Sequence, residues 1–375
     1  MFDAIVVGTG PGGALAALRL AEAGARVLIL EKMKLPRDKA CGGAMTPPPV
    51  AALLDWDFSA FVEARVETMR YELDHARAID RNAGGEAWLI NRRRFDLHIA
   101  ERALAHGHGS VELRDGFAVA QVDEDQAGVT VIGKSGERCR ARFLIGADGA
   151  AGRVAKAIGL GRRSRQPVAL DAEIEVTPEV WAAEGGRMSF NFACLPGGYG
   201  WIFPKDGYLS CGVGSWTGHD RMPGALDAYL ARALPPGSIR RQQRRGHPIP
   251  LYEGPARVST QRICLVGDAA GLVDPIYGEG IRYALASGAI AAAWITACLA
   301  GNGPDDGTGY SKRIHAEIGV KLDRLRRFIL PIFLSRPATF YERFIEGGDS
   351  YSALARRLDG LFPAAPVAIQ HSAQC

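Results

Sequence analysis

The sequence predicts an α/β protein in three parts: a Rossmann-type domain with a parallel sheet, an antiparallel β-sheet inserted into it, and a C-terminal helical region. Three observations predict this. A glycine-spaced strand–helix–strand unit opens the chain. Period-two stretches begin near residue 166. Two later buried strands, each ending in Asp and Gly, return to the first pattern.

Asp3–Lys32 reads DAIVVGTGPGGALAALRLAEAGARVLILEK. Ala4–Val7 suits a buried strand, and Ala14–Ala23 has helix-forming composition without a breaker. Gly24 ends that helix, and Arg26–Leu30 is a second apolar strand ending at Glu31. Gly8, Gly10 and Gly13 stand in G-x-G-x-x-G spacing. Gly8 permits the tight turn, Gly10 lets a pyrophosphate approach the backbone, and Gly13 lets helix and strand pack closely. The N–H groups at the helix start favour phosphate. Glu31 lies about 20 residues on, where ribose hydroxyls find an acceptor. A glycine turn alone is compatible with binding nothing. The complete unit points to a dinucleotide, without choosing between FAD and NAD(P).

The 375 residues are 47% apolar and 23% charged, ordinary for a globular chain of two or three domains. A net charge of +4 does not argue for nucleic acid. Arg240-Arg241 and Arg244-Arg245 form only a short basic cluster without interleaved aromatics. The seven cysteines (Cys41, Cys139, Cys194, Cys211, Cys264, Cys298, Cys375) are scattered and never in C-x-x-C spacing. That argues against a zinc site or a cysteine-ligated iron–sulfur cluster, and for reduced thiols in the cytoplasm. The first strand begins almost at Met1, which argues against a signal peptide. Tyr283–Ala300, rich in Ala and Gly with Arg282 at its start, reads as a buried helix rather than a membrane span.

In chain order, Lys32–Pro49 is a loop on the phosphate side of the sheet. In it, Cys41-Gly42-Gly43 sets a thiol beside two residues that allow close backbone approach; by itself Cys41 reads as a small buried hydrophobe. Asn91–Asp96 opens a helix, Phe95–Ala105. Arg92–Arg94 at its start are unfavourable for the helix dipole unless an anion or a carbonyl lies nearby; a solvated basic turn is the equal alternative. Ser110–Val122 and Gly128–Ile132 read as strands. Arg142–Asp148 is a further buried strand ending in Asp148-Gly149, either a cofactor contact or a plain turn.

From about Gln166, Ala169–Val176, Arg187–Cys194, Tyr199–Pro204 and Tyr208–Trp216 read as strands, the last two joined by a Lys205-Asp206-Gly207 turn. Tyr199, Trp201 and Phe203 alternate and share one face. Taken alone they read as sheet core. Arg257–Val266 is a buried strand ending at Gly267-Asp268, and Gly278-Glu279-Gly280 precedes the Ala-rich helix. A second helix start there favours negative charge. The expected division is 1–165 and 252–304 for the Rossmann-type domain, 166–251 for the inserted sheet and 305–375 for the helical region. Lys321–Ile332 is amphipathic and suits either a membrane surface or packing on the core.

The GTGPGG unit with Glu31, LIGADGAAGRV at Leu144–Val154 and LVGDAAGLVDPIYGEGI at Leu265–Ile281 resemble the three FAD-contacting segments of the flavoprotein group that includes aromatic hydroxylases. KACGGA at Lys39–Ala44 and YGWIFP at Tyr199–Pro204 resemble the K-x-C-G-G and Y-x-W-x-F-P motifs of geranylgeranyl reductases. GEGIRYALASG at Gly278–Gly288 is similar to that family's segment as well. Ala44 departs from the pattern, standing where a third Gly is usual, and the C-terminal region is unmatched. The resemblance implies bound FAD, contacted by Gly8, Gly10, Gly13, Glu31, Lys32, Cys41, Gly42, Gly43, Arg92, Asp148, Gly267, Asp268, Gly278, Gly280 and Ile281. Glu31 would hold the adenosine ribose and Asp268 the ribityl chain. It implies reduction of prenyl C=C bonds on a lipid, quinone, pigment precursor or prenyl diphosphate. Cys41, Tyr199 and Trp201 would lie at the reacting bond, where an apolar wall suits a polyprenyl chain. The alternative within the same fold is an FAD monooxygenase using NAD(P)H and O2. No second βαβ fingerprint serves NADPH, so NADPH would dock transiently or a ferredoxin-like protein would replace it. Peripheral membrane contact is a further expectation.

Overall fold

The computed structural model describes residues 1–347 apart from 46, 55, 107–109, 161–166, 218–221 and 302–306. Gln166, Cys375 and residues 348–375 of the expected helical region lie outside the described residues.

Two sheets carry the fold. β1 (Phe2–Val7), α1 (Pro11–Glu22) and β2 (Val27–Glu31) form the expected unit, the strands parallel with Ala4 opposite Val27 and Val7 opposite Leu30. Pro11 takes the first helical position, where a missing N–H costs nothing. All of β2 is buried, as a strand covered on both faces requires. The chain then leaves this sheet. β3 (Ala44–Met45), the short α2 (Pro47–Ala51), β4 (Val62–Leu73) and β5 (Arg77–Ile90) contribute their strands to the second sheet.

α3 (Arg92–Ala105) leads back to β6 (Val111–Asp115), parallel to β2. β7 (Val119–Asp125), β8 (Gly128–Gly133) and β9 (Arg138–Gly146) form a meander that ends beside β1. The single strand expected over Ser110–Val122 is thus two, parted at Gly116, whose φ of +78° turns the chain.

After α4 (Val154–Ala157) come β10 (Val168–Val176), α5 (Pro178–Glu184), β11 (Arg187–Phe192), β12 (Gly198–Pro204), β13 (Leu209–Ser215), α6 (Met222–Ala233) and β14 (Ile239–Pro248). The second sheet runs β14-β10-β13-β12-β11-β4-β5-β3 and is antiparallel except where β11 lies parallel to β4. Strands from before residue 165 therefore belong to it, which the division at 165 did not anticipate. β14 reads as a basic cluster in sequence because it is an edge strand with little to bury. One face of this sheet packs Ile174, Leu209 and Val213 on Leu226 and Leu230 of α6. The other carries Tyr71, Phe190, Phe192, Tyr199, Trp201 and Phe203.

β15 (Ile263–Leu265) rejoins the first sheet beside β9, and α7 (Ile281–Leu299) packs on α1. A Cβ at Gly288 would lie 2.2 Å from the Gly12 carbonyl oxygen, and one at Gly12 2.5 Å from that of Ala284; glycine is what lets the two helices touch. α7 is long and apolar enough to cross a membrane, yet more than half of it is buried here as a core helix. From Thr308 to Ser335 a helical run alternates α and π turns, and Pro337–Glu346 adds a last helical piece. Leu322, Leu325, Ile329 and Phe333 are buried in it while Phe328 is 61% exposed. The apolar side of the amphipathic segment packs on the protein.

Candidate active site

The turn between β1 and α1 is built for a phosphate. Gly8 has φ +105°, and a Cβ there would lie 2.4 Å from the Ala147 oxygen. One at Gly13 would lie 2.2 Å from the Gly8 oxygen. Over Gly10, by contrast, a Cβ would meet nothing nearer than an Arg37 nitrogen at 3.9 Å. The backbone at Gly10 is open to an approaching group, as a bound pyrophosphate requires. Glu31 ends β2 and accepts from Thr9 N (3.0 Å), Thr9 Oγ1 (2.7 Å), Met33 N (3.0 Å) and Arg37 Nε (3.2 Å). Burial pushes its carboxyl up, but Arg37 and the Thr9 and Met33 donors outweigh burial and hold it below the usual glutamate range. Lys32 is exposed, with its charge toward Asp148. Asp148 accepts from Arg153 N (2.6 Å) and Val154 N (3.0 Å), while its Oδ1 is buried without a hydrogen-bond partner. These features fit FAD: an open glycine backbone, a charged acceptor at the end of β2, and a spare buried carboxylate oxygen.

A chain of ion pairs joins this turn to the Cys41 loop. Arg37 bridges Glu31 and Asp96 (3.2 Å each), and Arg92 holds Asp96 through both carboxylate oxygens at 2.8 and 2.9 Å. The basic helix start is explained: Arg92 pairs back along α3, Arg94 donates to the Ala60 carbonyl, and the Asn91 side chain caps Arg94 N. The Arg92 guanidinium faces the Cys41 loop; burial opposes its charge, but Asp96 and Cys41 outweigh burial and raise its pKa. Beside it Lys39 hydrogen-bonds the His247 ring, and His247 Nε2 lies 3.6 Å from Asp268. Burial lowers Lys39 to about 8, against the pull of Asp268. Burial raises Asp268, but the His247 hydrogen bond and Lys39 outweigh it and keep the carboxylate low. Glu31, Cys41, Arg92 and Asp268, spread over more than two hundred residues of sequence, are thus joined by one network of charged contacts.

The Cys41-Gly42-Gly43 loop rests on the aromatic face of the second sheet. A Cβ at Gly42 would lie 2.8 Å from two Phe203 ring carbons and 3.6 Å from Trp201 Nε1. Gly43 has φ +71°, and a Cβ there would lie 2.3 Å from the Ile90 oxygen. Ala44, in place of a third Gly, begins β3 opposite Leu89, where a Cβ is accommodated. At the other end of the wall Tyr199 donates to the Tyr277 carbonyl, and Trp216 Nε1 donates to that of Pro275 at 2.7 Å. Asp274 fixes that turn by accepting from Ile276 N and Tyr277 N. Gly278 follows with φ +66°. Gly280 caps α7, and a Cβ there would lie 3.3 Å from Asp268; Ile281 is buried, and Gly267 has φ +54° against Ala284. Tyr199, Trp201 and Phe203 therefore span from the Cys41 loop to the third glycine segment.

Sequence reasoning missed several members of this site. Arg37 and His247 join this network of contacts without any local motif, and Asp96, the acid of the Arg92-x-x-Phe95-Asp96 run, shows its part only through its pairs with Arg92 and Arg37. The wall is completed by Phe190 and Phe192 on β11, Trp216, and Phe333 and Phe340 from the C-terminal run, with Phe192 and Phe340 centroids 5.3 Å apart. The site-facing side of the sheet also has a polar half. Lys205, Ser210, Asp171 and Arg245 share that face with Trp201 because Gly212 lies opposite both Trp201 and Asp171, and Asp171 opposite Arg245.

The family described as FAD binding domain matches residues 1–195. The chain is 32% identical to digeranylgeranylglycerophospholipid reductase 1 of Methanopyrus kandleri, over 77% of this chain and 79% of that protein. It is 31% identical to the chloroplastic geranylgeranyl diphosphate reductase of Oryza sativa subsp. japonica, over 78% of this chain and 66% of the rice protein. Its fold matches a geranylgeranyl bacteriochlorophyll reductase-like protein of Thermoplasma acidophilum with a TM-score of 0.75 at 22% identity, each chain covered to 96%. The protein is an FAD-dependent oxidoreductase and belongs to the geranylgeranyl reductase family.

Proposed function

We propose that this protein saturates C=C bonds of a prenyl chain carried by a lipid, quinone, pigment precursor or diphosphate. The observation that carries the reading is the aromatic wall of Tyr199, Trp201 and Phe203. It runs between the Cys41 loop and the Gly278 turn, two segments that bound the cofactor cleft. A polyprenyl chain offers only apolar surface and π bonds, and such a wall offers the matching surface.

When bound, FAD supplies the hydride that such a reduction consumes. The chain's own residues do the rest. The turn that Gly8 and Gly13 make possible would receive the phosphates over the open backbone at Gly10, Glu31 would hold the adenosine ribose, and Asp268 the ribityl hydroxyls. Trp201 and Tyr199 press the alkene into place, exclude water and stabilise developing positive charge through their ring faces. Arg92 fixes the position of Cys41, which shapes the pocket beside the reacting bond. The electron donor is NADPH docking transiently or a ferredoxin-like protein. The exposed Phe328, beside Arg327, is the surface we assign to peripheral membrane contact, where a prenyl lipid would be met.

Product analysis tests the reading. Chemically reduced protein given geranylgeranyl diphosphate should return chains heavier by two hydrogens per saturated bond. Chains of unchanged mass, with oxygen added to a substrate once air is admitted, would instead identify a monooxygenase.

A further inference from the structure

Saturating a C=C bond breaks one π bond and forms two C–H bonds. One new bond takes a hydride with its two electrons, and the other takes a proton. The aromatic wall offers no acid for that proton: the Tyr199 hydroxyl is committed to the Tyr277 carbonyl, and burial pushes its pKa up. The polar half of the same sheet face does. Ser210 Oγ donates to Asp171 Oδ1 at 2.8 Å and lies 3.5 Å from Trp201 Nε1. Asp171 and Ser210 are buried, at 6% and 2% exposure, and both line a cleft shared with Cys41, Arg92, Lys205 and Tyr208. At the mouth of that cleft Asp38 is held by Arg93 (3.3 Å) and Arg245 (3.1 Å), which leaves a polar route to solvent.

We propose that Asp171, acting through the Ser210 hydroxyl, supplies the proton received by the second carbon of each saturated bond. The inference rests on the prenyl-reductase reading above. When Asp171 is protonated the Ser210–Asp171 hydrogen bond reverses, the Asp171 O–H donating to Ser210 Oγ; the Ser210 O–H then gives its proton to carbon as Oγ takes the one on Asp171, and the carboxylate left behind regains a proton from solvent through the mouth of the cleft. The groups facing Asp171 are Glu173 on its own strand, Ser210 on β13, Arg245 on β14 and Lys205 in the turn after β12. Lys205 is itself occupied, donating to the Ile90 carbonyl at 2.9 Å with Glu63 at 3.9 Å. Burial, with Glu173 adding to it, outweighs Ser210, Lys205 and Arg245 and pushes Asp171 up to about 6. A carboxyl so placed is partly protonated near neutral pH and can act as an acid.

Two variants test this, Asp171→Asn and Ser210→Ala, both in FAD-loaded, pre-reduced protein. In wild type the rate of product formation should fall as pH rises above about 6. Asp171→Asn should lose about 10²-fold in that rate, the low end of general-acid contributions, and the pH dependence should vanish while flavin content is kept. Carbon-13 NMR of labelled aspartates, without substrate, supplies an independent readout. One resonance should titrate near 6, disappear in Asp171→Asn, and move up in Ser210→Ala, where the hydrogen bond that lowers it is gone. If the resonance that disappears in Asp171→Asn titrates in the ordinary range near 4, the proposal is overturned. So does an Asp171→Asn protein that keeps the wild-type rate and pH profile while wild type saturates prenyl chains. A wild type that saturates nothing overturns the functional reading and this proton route with it.

Discussion

Gly212→Ala tests whether the second sheet places Trp201. A Cβ at Gly212 would lie 2.1, 2.4 and 2.6 Å from three carbons of the Trp201 indole. Non-bonded carbons rest near 3.5 Å, so the indole must recede by about 1.4 Å, the difference between 3.5 and 2.1. It has nowhere free to go, because Tyr199 and Phe203 flank it and Ser210 meets its Nε1. Overpacking of this kind costs about 1–3 kcal/mol, which should lower the melting temperature by several degrees. A displacement of about 1 Å at a reacting centre can cost about 10²-fold in rate. The assay is a single turnover of reduced protein with a prenyl substrate, with melting temperature and flavin content measured in parallel. Turnover should fall by about that factor while flavin content holds, since Gly212 does not contact the Gly8–Gly13 turn. Gly224→Ala is the control: exposed in α6 with nothing near its Cβ, it should gain about 0.5 kcal/mol and leave turnover alone. A Gly212→Ala protein turning over at the wild-type rate would refute the placement of Trp201 argued from the structure.

Arg92→Ala removes one partner of a buried pair. It should cost about 3 kcal/mol, the low end for such losses because Arg37 still faces Asp96, and denaturant unfolding should show it together with weaker flavin retention. Tyr199→Phe removes the hydrogen bond from the Tyr199 hydroxyl to the Tyr277 carbonyl and should cost about 1 kcal/mol by the same measurement, with the wall's ring packing kept. Lys39 should titrate near 8 in nitrogen-15 lysine spectra, losing its charge as pH rises through that value. In Asp268→Asn the carboxylate that supports this charge is gone, so the midpoint should move lower; an unmoved midpoint would contradict the contact. Phe328→Ser should leave stability within about 0.5 kcal/mol, as an exposed side chain allows, and reduce co-sedimentation with anionic vesicles.

The β1-α1-β2 unit and the buried end of β9 were legible because those strands are continuous apolar runs and the turn needs glycine at fixed steps, whereas charged β6 and β7 read as one strand. Gly8, Gly10 and Gly13 each show the separate reason that the spacing implies. The period-two face of Tyr199, Trp201 and Phe203 was legible for the same kind of reason, since strand geometry alone sends alternate residues one way. What was not legible depends on register and long-range pairing. Nothing in VEARVETMRYEL announces that β4 will lie parallel to β11 and extend the second sheet beyond residues 166–251. Arg37 and His247 carry no motif, and acquire meaning only when the fold brings them beside Glu31, Asp96 and Lys39. Asp171 is one charge in an alternating strand until burial and Ser210 set it apart. Phe333 and Phe340 come from a run whose amphipathic pattern told of an apolar side without telling what it covers.

The central claim, a prenyl reductase built on this cleft and wall, is tested most directly by anaerobic stopped-flow absorbance. Fully reduced flavoprotein is mixed with geranylgeranyl diphosphate in the absence of oxygen and of any electron donor. Oxidised flavin absorbance should return with one C=C bond saturated per flavin, and that phase should be about 10²-fold slower in Gly212→Ala. Flavin that stays reduced until air is admitted, and then yields an oxygenated product, would contradict the claim.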